Sequence, residues 1–133
     1  LKLISDGAVL GALYVSDPKF DVDIFLGRVG GPAGVLAASA LDAYNCHFQG
    51  RFIFDNEKDI KDAKKIGISD LNKKYELNEI VKGDSIFCAT GITSSDVLNG
   101  IEIKENTYIS ETFVTHKNSN FKEIIKKTNQ IKE

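Results

Sequence analysis

The sequence predicts an α/β fold in which a mainly parallel sheet is covered by helices. Three observations carry the prediction. The first 44 residues alternate strand-like and helix-like stretches in the order β-α-β-α, the pattern of a parallel, helix-covered sheet. Two apolar runs, Val22–Leu26 and Ser85–Thr90, are short and nearly unbroken, as strands buried on both faces are. Between the first of these runs and an Ala-rich stretch lies Gly27-Arg28-Val29-Gly30-Gly31-Pro32-Ala33-Gly34, a glycine-rich turn of the kind that joins a strand to a helix.

Taken in order, Lys2–Ser5 reads as a short strand ending at Asp6-Gly7, and Ala8–Val15 as an apolar helix stopped by Ser16-Asp17-Pro18. Val22–Leu26 is the second strand. Pro32 suits a first helical turn, where its missing N–H costs nothing, and the small residues up to about Tyr44 let that helix lie close on a sheet. Gln49–Phe54 is a further strand. Asn56–Lys65 is a charged helix with Ile60 and Ala63 inward, ended by Gly67. Leu77–Val81 is a short helix. After the Ser85–Thr90 strand, Ser94 or Ser95 caps a short helix through Leu98, closed by Gly100. Ile101–Lys104 and Tyr108–Thr115 read as strands that add an antiparallel portion. Phe121–Lys132 reads as an amphipathic helix with Phe121, Ile124, Ile125 and Ile131 inward.

The chain has 133 residues, enough for a single α/β domain over residues 1–133 with one core. Apolar residues make up 42% and charged residues 27%, which excludes a disordered chain. The formal charge of −2 argues against nucleic acid or an anionic membrane as a partner. No apolar run has the length of a membrane span and no signal peptide is visible, so the cytoplasm is the expected compartment. The chain does not begin with Met, and it is expected to be a piece of something longer. Cys46 and Cys88 lack metal-ligand spacing and read as reduced thiols. His47 and His116 stand alone in sequence, with no acid or Cys at ligand spacing, and no Ser/His/Asp array is recognisable.

Two places favour a ligand. The N–H groups of a helix start, following the Gly27–Gly34 turn, make an anion site; the alternative is a tight turn whose glycines serve packing only. Arg28 is the only charged group in the run, which contains no acid. Asp6 lies at the C-terminal end of the first strand, the edge where open α/β sheets bind ligands, or it simply caps the helix that follows. Thr90-Gly91-Ile92-Thr93 lies in a similar place, where its hydroxyls either meet a phosphate or sugar or cap the next helix.

Five ordered motifs then carry a resemblance. Asp6-Gly7-Ala8-Val9, Gly30-Gly31-Pro32-Ala33-Gly34-Val35, Gln49-Gly50-Arg51, Ala63-Lys64-Lys65-Ile66-Gly67-Ile68 and Ala89-Thr90-Gly91-Ile92-Thr93 together resemble the C-terminal part of the class II fructose-1,6-bisphosphatases, covering less than half of such an enzyme. The resemblance implies the C-terminal lobe of a sugar-phosphatase-like fold. It also implies hydrolysis of fructose 1,6-bisphosphate to fructose 6-phosphate and phosphate in gluconeogenesis, with Mn²⁺ or Mg²⁺. In that family Asp-Gly-Asp-Val holds the substrate sugar, and the Glu of Gly-Gly-Ala-Pro-Glu-Gly is a metal ligand. Here Asp6 is kept, Ala8 replaces the second Asp, Gly30 matches a backbone position that touches substrate, Val29 stands where the family has Gly, and Ala33 replaces the metal-binding Glu. The interval 33 − 8 = 25 agrees with the family's spacing.

The resemblance therefore implies substrate-binding positions at Asp6, Gly7, Ala8 and Gly30, with Thr90 and Thr93 as further candidates, and no catalytic or metal-binding residue in the chain itself. A divalent ion needs anionic oxygen ligands, which alanine does not supply. The chain alone is expected to lack phosphatase activity, to bind no metal, to hold a sugar phosphate weakly if at all, and to self-associate or pair with a missing N-terminal lobe. The alternative is a degenerate, non-catalytic module that binds a sugar phosphate or another protein.

Overall fold

A computed structural model describes residues 1–4 and 7–131. Helix α1 (Ala8–Ala12) passes directly into a 3-10 turn at Leu13–Ser16, so the expected Ala8–Val15 helix is present but tightens midway. A second 3-10 turn, Pro18–Phe20, is capped by the Asp17 side chain, which accepts from the Lys19 N–H. Helix α2 spans Gly31–Asp42 with Pro32 in its first turn. Strand β1 (Gln49–Arg51), helix α3 (Glu57–Lys65), strand β2 (Lys74–Glu76) and helix α4 (Leu77–Ile80) follow, with β1 and β2 paired antiparallel. Strands β3 (Ile86–Thr90), β4 (Glu102–Lys104), β5 (Thr107–His116) and β6 (Phe121–Gln130) complete the described fold.

Helix α3 forms where every local rule agrees. Asn56 accepts the Asp59 N–H at 3.0 Å, Glu57 and Asp59 stand at the positive end, Lys64 and Lys65 at the negative end, and Gly67 takes the left-handed turn at φ 92°.

In the larger sheet β5 is central. Strand β6 runs antiparallel along one edge for its full ten residues, from Thr107↔Gln130 to His116↔Phe121. The other edge is shared end to end: β4 pairs with 107–109 and β3 with 112–116, both antiparallel. The register puts Phe87, Ala89, Phe113 and Thr115 on one face. That face meets the helices, and Ala12, Leu13, Ala37, Ala40, Leu41, Phe87, Leu98 and Phe113 form the core between them. Ala38 and Ala40 are fully buried; their small side chains let α2 sit close to its neighbours.

Several expectations are corrected. The sheets are antiparallel, not mainly parallel: hairpins join β4 to β5 and β5 to β6, and short connections of that kind cannot make parallel neighbours. Residues 2–4 and 22–26 form no strand, and β1 is limited to Gln49–Arg51. Ser5, the last residue of the first expected strand, lies outside the described residues, as does Lys132. No helix forms at 95–98; instead the Ser95 hydroxyl accepts the N–H groups of Val97 and Leu98 in a local turn. The expected helix at 121–132 is strand β6. Its i, i+3, i+4 apolar spacing mimics a helix, but a ten-residue ladder satisfies its backbone against β5, and Asn120 adopts φ 53° in the preceding turn. Among the described residues no helix is long and apolar enough to cross a membrane.

Candidate functional site

The positions singled out by the first two motifs sit at two helix starts. Gly7 has φ 77° and ψ 37° and occupies the N-cap of α1, its carbonyl accepting the Gly11 N–H at 2.8 Å. Ala8 is the first residue of that helix. Asp6 lies outside the described residues. Gly30 is the N-cap of α2, extended at φ −64° and ψ 151°, and its carbonyl accepts the Gly34 N–H at 3.1 Å. Ala33 stands in the first turn of α2, half-buried, and this turn carries no acid and no side-chain cap.

Helix α1 lies against α2, and the Phe25 ring reaches the Gly11 backbone so closely that a Cβ there would stand 3.1 Å from Cε2 and overlap the Ile4 side chain. Gly11 is needed for this approach. From Phe25, which lies against α1, the chain continues to Gly30 at the start of α2.

The one cation of the glycine-rich run is already engaged. The Arg28 guanidinium donates to Asp55 Oδ1 at 2.6 Å and to Oδ2, so its charge is committed within the chain. What the turn itself offers an anion is the backbone at the start of α2, reduced by one donor at Pro32.

Thr90 and Gly91 of the Thr90–Thr93 motif are tied into the fold. Thr90 Oγ1 meets Thr112 Oγ1 at 2.8 Å across the β3–β5 pair. A side chain at Gly91 would collide with the Asn99 carbonyl and stand 3.2 Å from the Leu98 Cβ. Glu111 closes this loop from β5, accepting the Asn99 backbone N–H and Nδ2–H at 3.0 Å. These Asn99 bonds hold the Glu111 carboxyl below the ordinary glutamate range. Thr93 is exposed on the same loop.

His116, solitary in the sequence, has two partners in the fold. Its Nε2 lies 2.8 Å from Asp84 Oδ1 and its Nδ1 2.7 Å from Ser119 Oγ. Only the β3–β5 register, which sets Ile86 opposite His116, brings Asp84 within reach; no sequence spacing signals it. His47 lines a cavity of about 650 Å³ with Asp42, Cys46, Asp84, Lys117 and Asn118. This cavity lies at the C-terminal end of α2, a helix of 12 residues, and so roughly 18 Å from Gly30 at 1.5 Å per residue. Lys117 Nζ donates there to the buried Asp42 at 2.7 Å. Burial pushes the Cys46 thiol upward, away from thiolate reactivity. Among the described residues no three His, Cys, Asp or Glu side chains converge as a metal site.

An α/β chain with glycine-led helix starts at Gly7 and Gly30, bearing alanine at 8 and 33, is what comparison with known proteins places in a phosphatase family. Residues 1–129 match the family described as "Bacterial fructose-1,6-bisphosphatase, glpX-encoded", and the chain belongs to it. The fructose-1,6-bisphosphatase class 2 of Haemophilus influenzae is 36% identical over 124 residues, covering 84% of this chain and 37% of that protein. The D-fructose 1,6-bisphosphatase class 2/sedoheptulose 1,7-bisphosphatase of Synechococcus sp. (strain JA-2-3B'a(2-13)) is 32% identical over 127 residues, covering 86% of this chain and 37% of its own. The chain therefore spans little more than a third of the length of these relatives.

Proposed function

We propose that this chain is the sugar-holding lobe of a class II fructose-1,6-bisphosphatase and that it hydrolyses nothing by itself. The observation that carries this is the pairing of Ala8 and Ala33. Both stand in the first turns of helices that pack together, and both present a methyl group where the resemblance implies an oxygen donor. In this reading Asp6 takes a sugar hydroxyl and the Gly30 backbone lies against the substrate. The ion that supplies phosphate neutralisation in such enzymes, Mn²⁺ or Mg²⁺, needs carboxylates. The methyl group of Ala33, at the position the resemblance gives to a metal ligand, does not fit it, and that of Ala8 removes an acceptor for the sugar. Free thiols at Cys46 and Cys88 suit a reducing cytoplasm.

The test is to replace the matched third of the Haemophilus influenzae relative with this chain, with and without Ala8→Asp and Ala33→Glu, and to measure phosphate release from fructose 1,6-bisphosphate with Mn²⁺. The expected result is no release by the chain alone or by the unaltered chimera, and release once both acids are restored. An unaltered chimera working at the relative's rate overturns the reading. Substrate binding that persists while both chimeras stay silent favours the second reading, a non-catalytic sugar-phosphate module, which the same two alanines support.

A further inference from the structure

Strand β6 offers the longest open edge of the larger sheet. Its ten residues pair with β5 along one side, and no strand lies along the other among the described residues. Most of the strand is exposed, Ile124 and Ile125 included. An edge of this kind presents unpaired N–H and C=O groups to a further strand. Lysine is an ordinary defence against such pairing, and β6 carries Lys122, Lys126 and Lys127. Two of these are engaged within the chain. Lys122 Nζ lies 5.2 Å from the centre of the Tyr44 ring, and Lys126 Nζ lies 3.5 Å from Glu111 Oε1. Lys127 and Glu123 differ. Both are exposed on the face turned away from the helices, where β5 sets the uncharged Ser110 and Val114 opposite them. Neither has an ion pair among the described residues.

A second copy of β6 matches the first in one register. Two copies that continue one sheet across their β6 edges are related by a two-fold axis normal to it. The strands then run antiparallel, and each residue faces one on the same side of the sheet. The axis therefore passes beside one residue, whose two copies face each other. With Glu123 there, two carboxylates meet; with Lys126 or Lys127, two ammonium groups meet. With Ile124 there, Lys122 faces Lys126 on both sides of the axis. With Ile125 there, no like charges meet. Ile125 faces Ile125, Glu123 faces Lys127 on both sides of it, and Phe121 faces Asn129. On the other side of the sheet Ile124 faces Lys126 and Lys122 faces Thr128. Opposite charges directly across a strand pair stabilise it and like charges destabilise it, so the charges select the Ile125 register over its neighbours.

We propose that β6 is a homodimer interface, at which two copies of this chain join edge to edge about Ile125, flanked on each side by a Glu123–Lys127 pair. Main-chain bonds supply the affinity and the charge pairs set the register. Pairing consumes both β6 edges, so assembly through them stops at two copies. The interface goes beyond the functional reading above and depends on neither substrate nor catalysis.

Sedimentation equilibrium of the chain over a wide concentration range tests this. The expected result is a reversible equilibrium between monomer and dimer. Glu123→Lys and Lys127→Glu each set like charges opposite one another on both sides of the axis, and each is expected to weaken the dimer about tenfold or more. Both residues are exposed, so each variant keeps the thermal midpoint of the parent chain. Mixed together, the two variants are expected to associate as tightly as the parent does with itself, because the like charges of one then face the opposite charges of the other. A chain that stays monomeric throughout overturns the proposal. So does a dimer that either single variant leaves unchanged, or a mixture that fails to associate, since the copies then meet elsewhere or in another register.

Discussion

Between Ile86 and Gln130 each apolar strand lies beside another strand, whereas the equally apolar run Val22–Leu26 lies beside none among the described residues. Phe113 and Leu26 show the difference side by side. Phe113 is 7% exposed and stacks on Tyr44 at 6.3 Å and edge-on against Phe87 at 6.2 Å. Leu26 is 90% exposed. Hydrophobicity of the residue does not decide its burial; the presence of a covering layer does. The C-terminal sheet contains its own partners, and residues 22–26 have none among the described residues.

The comparison breaks if the two regions respond alike to truncation. Phe113→Ala is expected to cost roughly 3 to 5 kcal/mol in denaturant unfolding, since it opens a cavity against Tyr44 and Phe87. Gly91→Ala comes next, at roughly 1 to 3 kcal/mol, because the added methyl meets backbone rather than a movable side chain. In α3, Asn56→Ala is expected to lose about 1 kcal/mol with its cap, read as a shift in the same titration. Leu26→Ser should change the stability of the isolated chain by less than about 0.5 kcal/mol. A large loss at Leu26 would place it in the core and erase the contrast.

Acid sharpens the same comparison. Glu111 has its pKa lowered, first by the Asn99 side chain and then by the Asn99 backbone N–H. A carboxyl lowered on folding contributes stability that is full above the ordinary glutamate range and is lost as the pH falls through the depressed native value. The thermal midpoint of the wild-type chain should therefore fall more steeply in acid than that of Glu111→Gln. Parallel curves would show that Glu111 does not secure the 91–100 loop.

Local chemistry was legible in the sequence where it acts locally. Pro32 marked the start of α2, Asn56 and Gly67 bracketed α3, and the apolar Ile86–Thr90 run is a strand. The β6 strand was not legible, because Phe121, Ile124 and Ile125 have helical spacing and only the length of the β5 partner decides against it. Strand direction was misread for a related reason: β-α-β-α order suggests parallel neighbours, and two of those segments have no neighbour among the described residues at all. Of the candidate positions, Gly7, Ala8, Gly30 and Ala33 fall at the starts of α1 and α2, where the sequence places two helices. The pairing of His116 with Asp84 was unreadable, since the two are 32 residues apart and meet only through the sheet.

The bond from Lys117 to Asp42 spans 75 positions of chain, and that distance orders events in time. The β5–β6 hairpin closes over a turn at 117–120 and waits for nothing remote, while the clasp that fastens it to the end of α2 must draw together a long loop. Asp42→Asn should then leave the refolding arm of a chevron nearly unmoved and steepen escape from the native state: a latch that sets how long the assembled molecule lasts rather than how quickly it is made.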